Sequence, residues 1–427
     1  MLTEELGGLE AAREALARER LEELQALART YRNWSVKELA HALGRQPGRL
    51  VPESGMPKID LVVGLAKALD WPVDAVVEHL MKPASDGRSA GIRQDKTEDY
   101  ARLYGDSVAA RGARDYAEAI RLAVRAAAVA DTPTRRAAAL ANESDAHEAH
   151  GSYVEAARCL RDAARIDGIA VDWRLLCDAK LANLLFLQGQ MTHALGIAAS
   201  VIEYVQSLNP GFVSRSAHAL ALRTRGQALR SSIPTQNCEP WRPIATSARE
   251  DLRMAGDIAR TLAEEPDGNE TFSASFAAAS DALVLELDAV ISEDAVESSL
   301  RGLLAIVRDG GSVEPGVGER KAWAAVALAA TARRFVTDEM QRRGILEIAS
   351  AALRAHAVAN SNWYFAHRHL DLDAERRRQI ETNGVASRAL DAVEAKLVAG
   401  VLGQIPSARR DASDFLALYG TREGARP

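Results

Sequence analysis

Gly151-Ser152-Tyr153-Val154-Glu155-Ala156-Ala157 and Gly189-Gln190-Met191-Thr192-His193-Ala194-Leu195 share one pattern, and that pattern decides the fold. A glycine breaks a helix, because it alone turns left-handed at no steric cost. The large residue two places on plugs the turn, and the alanine three places later lets the next helix pack closely. Tyr116, Ala119 and Ile120 make the pattern once more, with Arg114 where the glycine would stand. Tyr153 follows Tyr116 by 37 residues, and Met191 follows Tyr153 by 38. A helical hairpin with its turns needs about this much chain. The spacing therefore predicts stacked helix pairs over residues 97–210.

Outward from this stretch the chain stays helical in character. Apolar residues make up 47% and aromatics only 5% of 427 residues, so Ala and Leu dominate. Both lose little side-chain entropy in a helix. No segment alternates with a two-residue period, so no strand is expected. Residues 211–420 read as degenerate helical repeats, interrupted at Pro210-Gly211, Ile233 to Pro243, Glu265 to Asn269 and Asp309 to Gly318. Residues 1–31 read as an amphipathic helix, with Leu9, Leu16, Leu24, Leu27 and Tyr31 near helical spacing. Residues 32–82 form a separate compact unit. There Ser35 and Glu38 match a capping box, Gly44 ends the first helix, and Asp60 is placed to cap a second. Trp71-Pro72 breaks the chain before a short helix opened by Asp74, and residues 83–96 read as a linker.

Charge and motifs narrow the chemistry. A net charge of −6 gives the whole chain no reason to coat nucleic acid, so any such contact must be local. Cys159, Cys177 and Cys238 have neither metal spacing nor an even count for disulfides, which suits a reducing cytoplasm. The acidic start, Met1 to Leu9, does not read as a signal peptide, and no apolar run is long enough for a membrane. His147-Glu148-Ala149-His150 lacks the zinc-protease spacing. Glu143, Asp145, His147 and His150 can share part of a helical face, but the plain reading is a solvated helix end before Gly151. Trp363, Tyr364, His367, His369, Asp371 and Asp373 form the densest aromatic and ionisable cluster, read as helix packing ahead of a partner patch. Gly310-Gly311 to Gly318 lacks the ending of a phosphate loop. No catalytic residue, cofactor or metal is expected.

The Gly-x-Tyr-x-x-Ala pattern resembles the tetratricopeptide family. Residues 35–80 resemble the lambda-repressor/Cro-like (XRE) family through Leu39-Ala40, Leu43-Gly44, Glu53-x-Gly55, Pro57, Leu65-Ala66-Lys67-Ala68-Leu69 and Trp71-Pro72-Val73-Asp74-Ala75-Val76. Together they imply an all-α protein: a small helix-turn-helix domain followed by a tetratricopeptide-like superhelix. The order is similar to peptide-sensing (RRNPP-type) transcriptional regulators. In that likeness a recognition helix follows Gly44, with Arg45, Gln46 and Arg49 reading bases and Lys37 and Lys58 holding phosphates. The repeats would receive a peptide or protein effector through Asn142, Asn183, Lys180 and Arg223, and a homodimer is compatible. Pro47 and Pro52 lie in the recognition segment, and Pro52 forbids an unkinked helix. This leaves open a second reading: a protein-interaction scaffold whose helix-turn-helix unit does not touch DNA.

Overall fold

In the computed structural model the chain is all-helical. The structure describes residues 34–51, 57–69, 99–207, 211–236, 238–265, 270–309, 315–382 and 391–409, with scattered positions between 18 and 29 and between 73 and 80. Residues 1–17, Pro52, Trp71-Pro72, the linker expected at 83–96 and Gly310-Gly311 lie outside them. No strand occurs among the described residues, and none of their helices is long and apolar enough to cross a membrane. The chain divides into two compact units, Met1–Thr97 and Glu98–Pro427.

The first unit is built on α1 (Val36–Ala42) and α2 (Ile59–Leu69). The Ser35 hydroxyl accepts from the Glu38 N–H, and Glu38 accepts from the Ser35 N–H at 2.7 Å, so the capping box forms as read. Gly44, at φ +62°, closes α1, and the Arg45 N–H returns to the Ala40 carbonyl at 2.8 Å. Asp60 falls inside the first turn of α2 instead of capping it. Leu21, Leu24 and Ala28 share a buried core with Leu39, Leu61, Leu65, Val76 and Leu80. Gln25 fixes the intervening turn by donating to the Leu50 carbonyl at 2.9 Å. Gly64 permits α2 to approach α1, since a Cβ there would lie 2.7 Å from Leu43.

The second unit is a run of helices. It starts with α3 (Tyr100–Gly112), α4 (Tyr116–Val129), α5 (Pro133–Ala149), α6 (Tyr153–Ala164), α7 (Val171–Leu187) and α8 (Met191–Gln206). It continues with α9 (Phe212–Ser232), α10 (Arg242–Ala263), α11 (Glu270–Ile291), α12 (Val296–Arg308) and α13 (Pro315–Phe335). It ends with α14 (Glu339–Asn360), α15 (Trp363–Thr382) and α16 (Ala392–Gln404). Each helix packs on the next, and α3, α5, α7, α9, α11 and α13 also touch in sequence. An inner row of helices results.

Tyr116, Tyr153 and Met191 are the first residues of α4, α6 and α8, so the repeat marks the start of each second helix. The three turns before them are alike. Arg114, Gly151 and Gly189 have φ of 64°, 85° and 76°. In each, the next residue's N–H reaches back to the first helix: Asp115 to Ala110, Ser152 to His147, Gln190 to Leu185. Arg114 adopts a conformation that costs a side-chain-bearing residue roughly 1–2 kcal/mol. The alanines Ala119, Ala156 and Ala194 are fully buried at the hairpin contacts.

The turn between α14 and α15 and the segment after α16 meet these same turns. Trp363 Nε1 donates to the Gly151 carbonyl at 2.7 Å, and Tyr153 Oη donates to Asn362 at 3.1 Å. Ser407 donates to the Gln188 carbonyl at 3.2 Å, and Arg114 donates to Asn360 at 3.4 Å. Trp363 lies on Gly400, where an added Cβ would come within 2.1 Å of the ring. Phe186, Trp323, Tyr364 and Phe365 meet behind this seam, with ring centroids 5.0–6.4 Å apart. The aromatic cluster around Trp363 thus serves helix packing.

Two glycine substitutions should move stability in opposite directions. At Gly151 an added methyl meets Ser361 and Trp363 at 2.6 Å on a left-handed backbone. Gly151→Ala should therefore cost more than about 2 kcal/mol, the strain alone being roughly 1–2. Gly105 sits exposed within α3 with open space around it, so Gly105→Ala should stabilise by about 0.5–1 kcal/mol. Urea unfolding of both variants checks the contrast.

Candidate functional site

The residues expected to read DNA sit around the turn that follows α1. Lys37, Gln46 and Lys58 are exposed. Arg45 donates to Asp60 at 2.7 Å, an ion pair at the surface. In place of a recognition α-helix directly after Gly44, Pro47–Arg49 makes a single 3-10 turn, and Leu50 then turns into the core. Pro47 supplies no N–H to extend an earlier helix, and its fixed φ begins a new turn. The Arg49 side chain and Glu53-x-Gly55 lie outside the described residues.

The second unit carries a denser arrangement on its inner row. Asp145 of α5 accepts from Arg111 of α3 at 2.5 Å and also from Lys180 of α7. One carboxylate so ties three successive first helices together. Its two cations hold it below the ordinary carboxylate range despite burial. Glu148, one turn further along α5, lacks such a direct partner. Burial, and then the neighbouring Asp145 charge, push it up to about 7. Glu319 of α13 accepts from Arg223 of α9 at 2.9 Å and from Trp323 Nε1 at 3.1 Å. Burial opposes its charge, but Arg223 and these hydrogen bonds hold it below the usual range. The Arg223 guanidinium also lies 4.4 Å from the Phe276 ring centroid. Deeper still, Glu286 is fully buried between Arg230 at 2.7 Å and Arg334 at 2.6 Å.

The four expected effector residues therefore occupy different situations. Lys180 and Arg223 hold carboxylates of this same chain. Asn142 is only 3% exposed and donates to the Ser107 hydroxyl at 2.7 Å, serving the packing of α3 on α5. Asn183 stands half-buried on α7. His147 and His150 separate: His150 lies at the helix end beside Ser152 and the Tyr116 ring, while His147 turns toward Glu143. Several concavities lie elsewhere. A groove of about 650 Å³ between α7 and α8 is lined by Ile169, Val171, Leu175, Ile197, Val201 and Tyr204 among others. A cavity of about 360 Å³ among α14, α15 and α16 is lined by Arg342, Arg343, Arg354, Arg376 and His369 among others.

A serine register escaped the sequence reading. Ser107 donates to the Ala119 carbonyl at 2.7 Å, and Ser144 to the Ala156 carbonyl at 2.9 Å. Each serine lies 12 residues before the repeat alanine, so the signal was present in the same 37-residue period. No family model matches the chain, and comparison with curated proteins finds no match.

Two measurements probe this electrostatics. Asp145→Asn strands two partly buried cations, whereas Lys180→Met strands none, because Arg111 still pairs with the carboxylate. Asp145→Asn should be the more destabilising by about 1–3 kcal/mol in denaturant unfolding. His356 is buried against Phe365, and burial holds it below its ordinary 6.5, opposed by Glu319 and aided by Arg114. The folded state therefore favours the neutral ring, and the unfolded chain binds the extra proton. Its contribution is complete above pH 6.5 and drains away as pH falls below it. His356→Gln should flatten the decline in melting temperature between about pH 7 and 5.

Proposed function

We propose that the chain is a DNA-binding regulator whose helical array, tetratricopeptide-like in its first three hairpins, receives a peptide or protein effector. The observation that supports this most is the local construction around Gly44. A capped helix, a left-handed glycine and a second helix on one core leave Lys37, Gln46 and Lys58 exposed together with a surface-paired Arg45. Asp60 is 66% exposed, so losing Arg45 leaves it in water, and Arg45, 23% exposed, can turn its terminal nitrogen to a guanine edge or a phosphate. No catalytic role is part of this reading.

A second reading is favoured by the 3-10 turn at Pro47–Arg49, which presents less surface to a groove than a helix does. In it the first unit is a docking module and the whole chain a protein-interaction scaffold.

Binding to a random-sequence duplex library at several salt concentrations separates the two. The regulator reading expects an enriched site. Arg45→Ala with Arg49→Ala should erase the sequence preference. Lys37→Ala should weaken all sequences alike and lower the salt slope by about 1. Equal, weak binding to every duplex, with a stoichiometric protein partner co-purifying, would leave the scaffold reading standing.

A further inference from the structure

Glu143 and His147 stand one turn apart on α5, and Cys159 faces them from α6. Glu143 Oε1 lies 3.7 Å from His147 Nε2. The ligand atoms of all three residues lie within 4.8 Å of one another. We propose that these three side chains form a divalent-metal site, with Zn²⁺ the best-fitting ion, that pins the second hairpin of the array.

The donor set suits that ion. A thiolate, an imidazole and a carboxylate form a mixed set of intermediate softness that zinc accepts and magnesium or calcium does not. Ligand bonds of about 2.0–2.3 Å in a tetrahedron place donor atoms about 3.3–3.7 Å apart. For the nitrogen–oxygen pair on α5 the separation is about 3.3–3.5 Å, so its 3.7 Å has to close slightly and the thiol, within 4.8 Å, has to rotate inward.

The surroundings point the same way. Glu143 is 6% exposed and Cys159 fully buried. Glu143 lies against the Cys159 thiol and the His147 ring. Arg158 is nearby, but it gives its hydrogen bonds to Glu155 at 2.7 Å and Asp162 at 3.4 Å. His147 keeps 15% of its side chain exposed, so the site reaches solvent, and a water would have to supply the fourth ligand. Three protein ligands and one open position make up a four-coordinate zinc site.

Binding is balanced by one proton. The Cys159 S–H loses its proton to solvent as the S–metal bond forms, while Glu143 binds as the carboxylate and His147 as the neutral ring. The thiol has to give up its proton to bind, so metal uptake should strengthen as pH rises. The site does not depend on what the array or the first unit binds.

The test uses the full chain, stripped with chelator and titrated with Co²⁺. One equivalent should give a sulfur-to-cobalt charge-transfer band with visible bands of tetrahedral intensity, and Zn²⁺ should displace it. Cys159→Ser should remove the charge-transfer band, while Cys177→Ser and Cys238→Ser should leave it. His147→Gln should weaken Zn²⁺ binding by more than about 100-fold, beyond what a partner that merely orients a ligand is worth. His147 reaches the surface, so that variant keeps the test valid even where Cys159→Ser fails to fold. The proposal is overturned by a folded parent chain that gives no thiolate band. A band that follows Cys177 or Cys238, or binding that survives His147→Gln, overturns it equally.

Discussion

The hydrogen bond from the Trp363 indole to the Gly151 carbonyl joins positions 212 residues apart, and the architecture of the second unit turns on it. Stacked helical hairpins are ordinarily quasi-one-dimensional, each repeat touching only its neighbours. Their ends then need polar caps and their inner faces stay open. Here the turn between α14 and α15 and the segment after α16 meet the turns of the first three hairpins, so the late part of the unit touches the early part. The geometry demands glycine twice. Gly151 turns left-handed to present its carbonyl, and Gly400 must be bare for the indole to sit against α16.

Closure determines what the inner row can contain. Phe186, Trp323 and Tyr364 fill the space behind the seam, and the charges around them pair with one another. Glu286 between Arg230 and Arg334 is the extreme case, since all three are almost completely buried. Desolvating such ions costs as much as their attraction returns, but removing one partner leaves a buried charge with nothing to meet it. The triad thus contributes to register more than to net stability: α9, α11 and α13 fit together in the one arrangement that brings these side chains into contact. Asp145 plays the same part for α3, α5 and α7.

Much of this was legible in the sequence, for local reasons. Gly151 and Gly189 are turn residues wherever they fall, and Tyr116, Tyr153 and Met191 begin their helices because the turn before each is complete. The Ser35–Glu38 box is a contact between near neighbours, so spacing alone reveals it. The ion pairs were not legible, because Lys180 finds Asp145 across two helices and Arg223 finds Glu319 across 96 residues. Sequence reading saw four polar residues on first helices and assigned them to a ligand. The folded chain supplies partners for three of them. Cys159 was set aside for want of a sequence motif, although a face-to-face helix pair can gather ligands that no linear spacing displays.

The two units differ in how freely their charged side chains can change partners, and this bears on where a second molecule can act. Asp60 is solvated at 66% exposure, so giving up Arg45 leaves it in water, although Arg45 itself is only 23% exposed. Lys180 and Arg223 are different. Taking Arg223 from Glu319 strands a carboxylate that an incoming ligand would have to satisfy as well as its own groups, whereas Asp145, released by Lys180, would keep Arg111. A neutral peptide backbone cannot do this, whereas a ligand carboxylate can replace Asp145 or Glu319 only by displacing it. The inner row therefore favours a closed array in the absence of a strongly charged competitor. Groups already in water carry no such penalty. Val171 and Tyr204, at 46% and 49% exposure, border the groove between α7 and α8. A partner covering them gains apolar burial without breaking an ion pair, so the outer face offers the easier approach to the array.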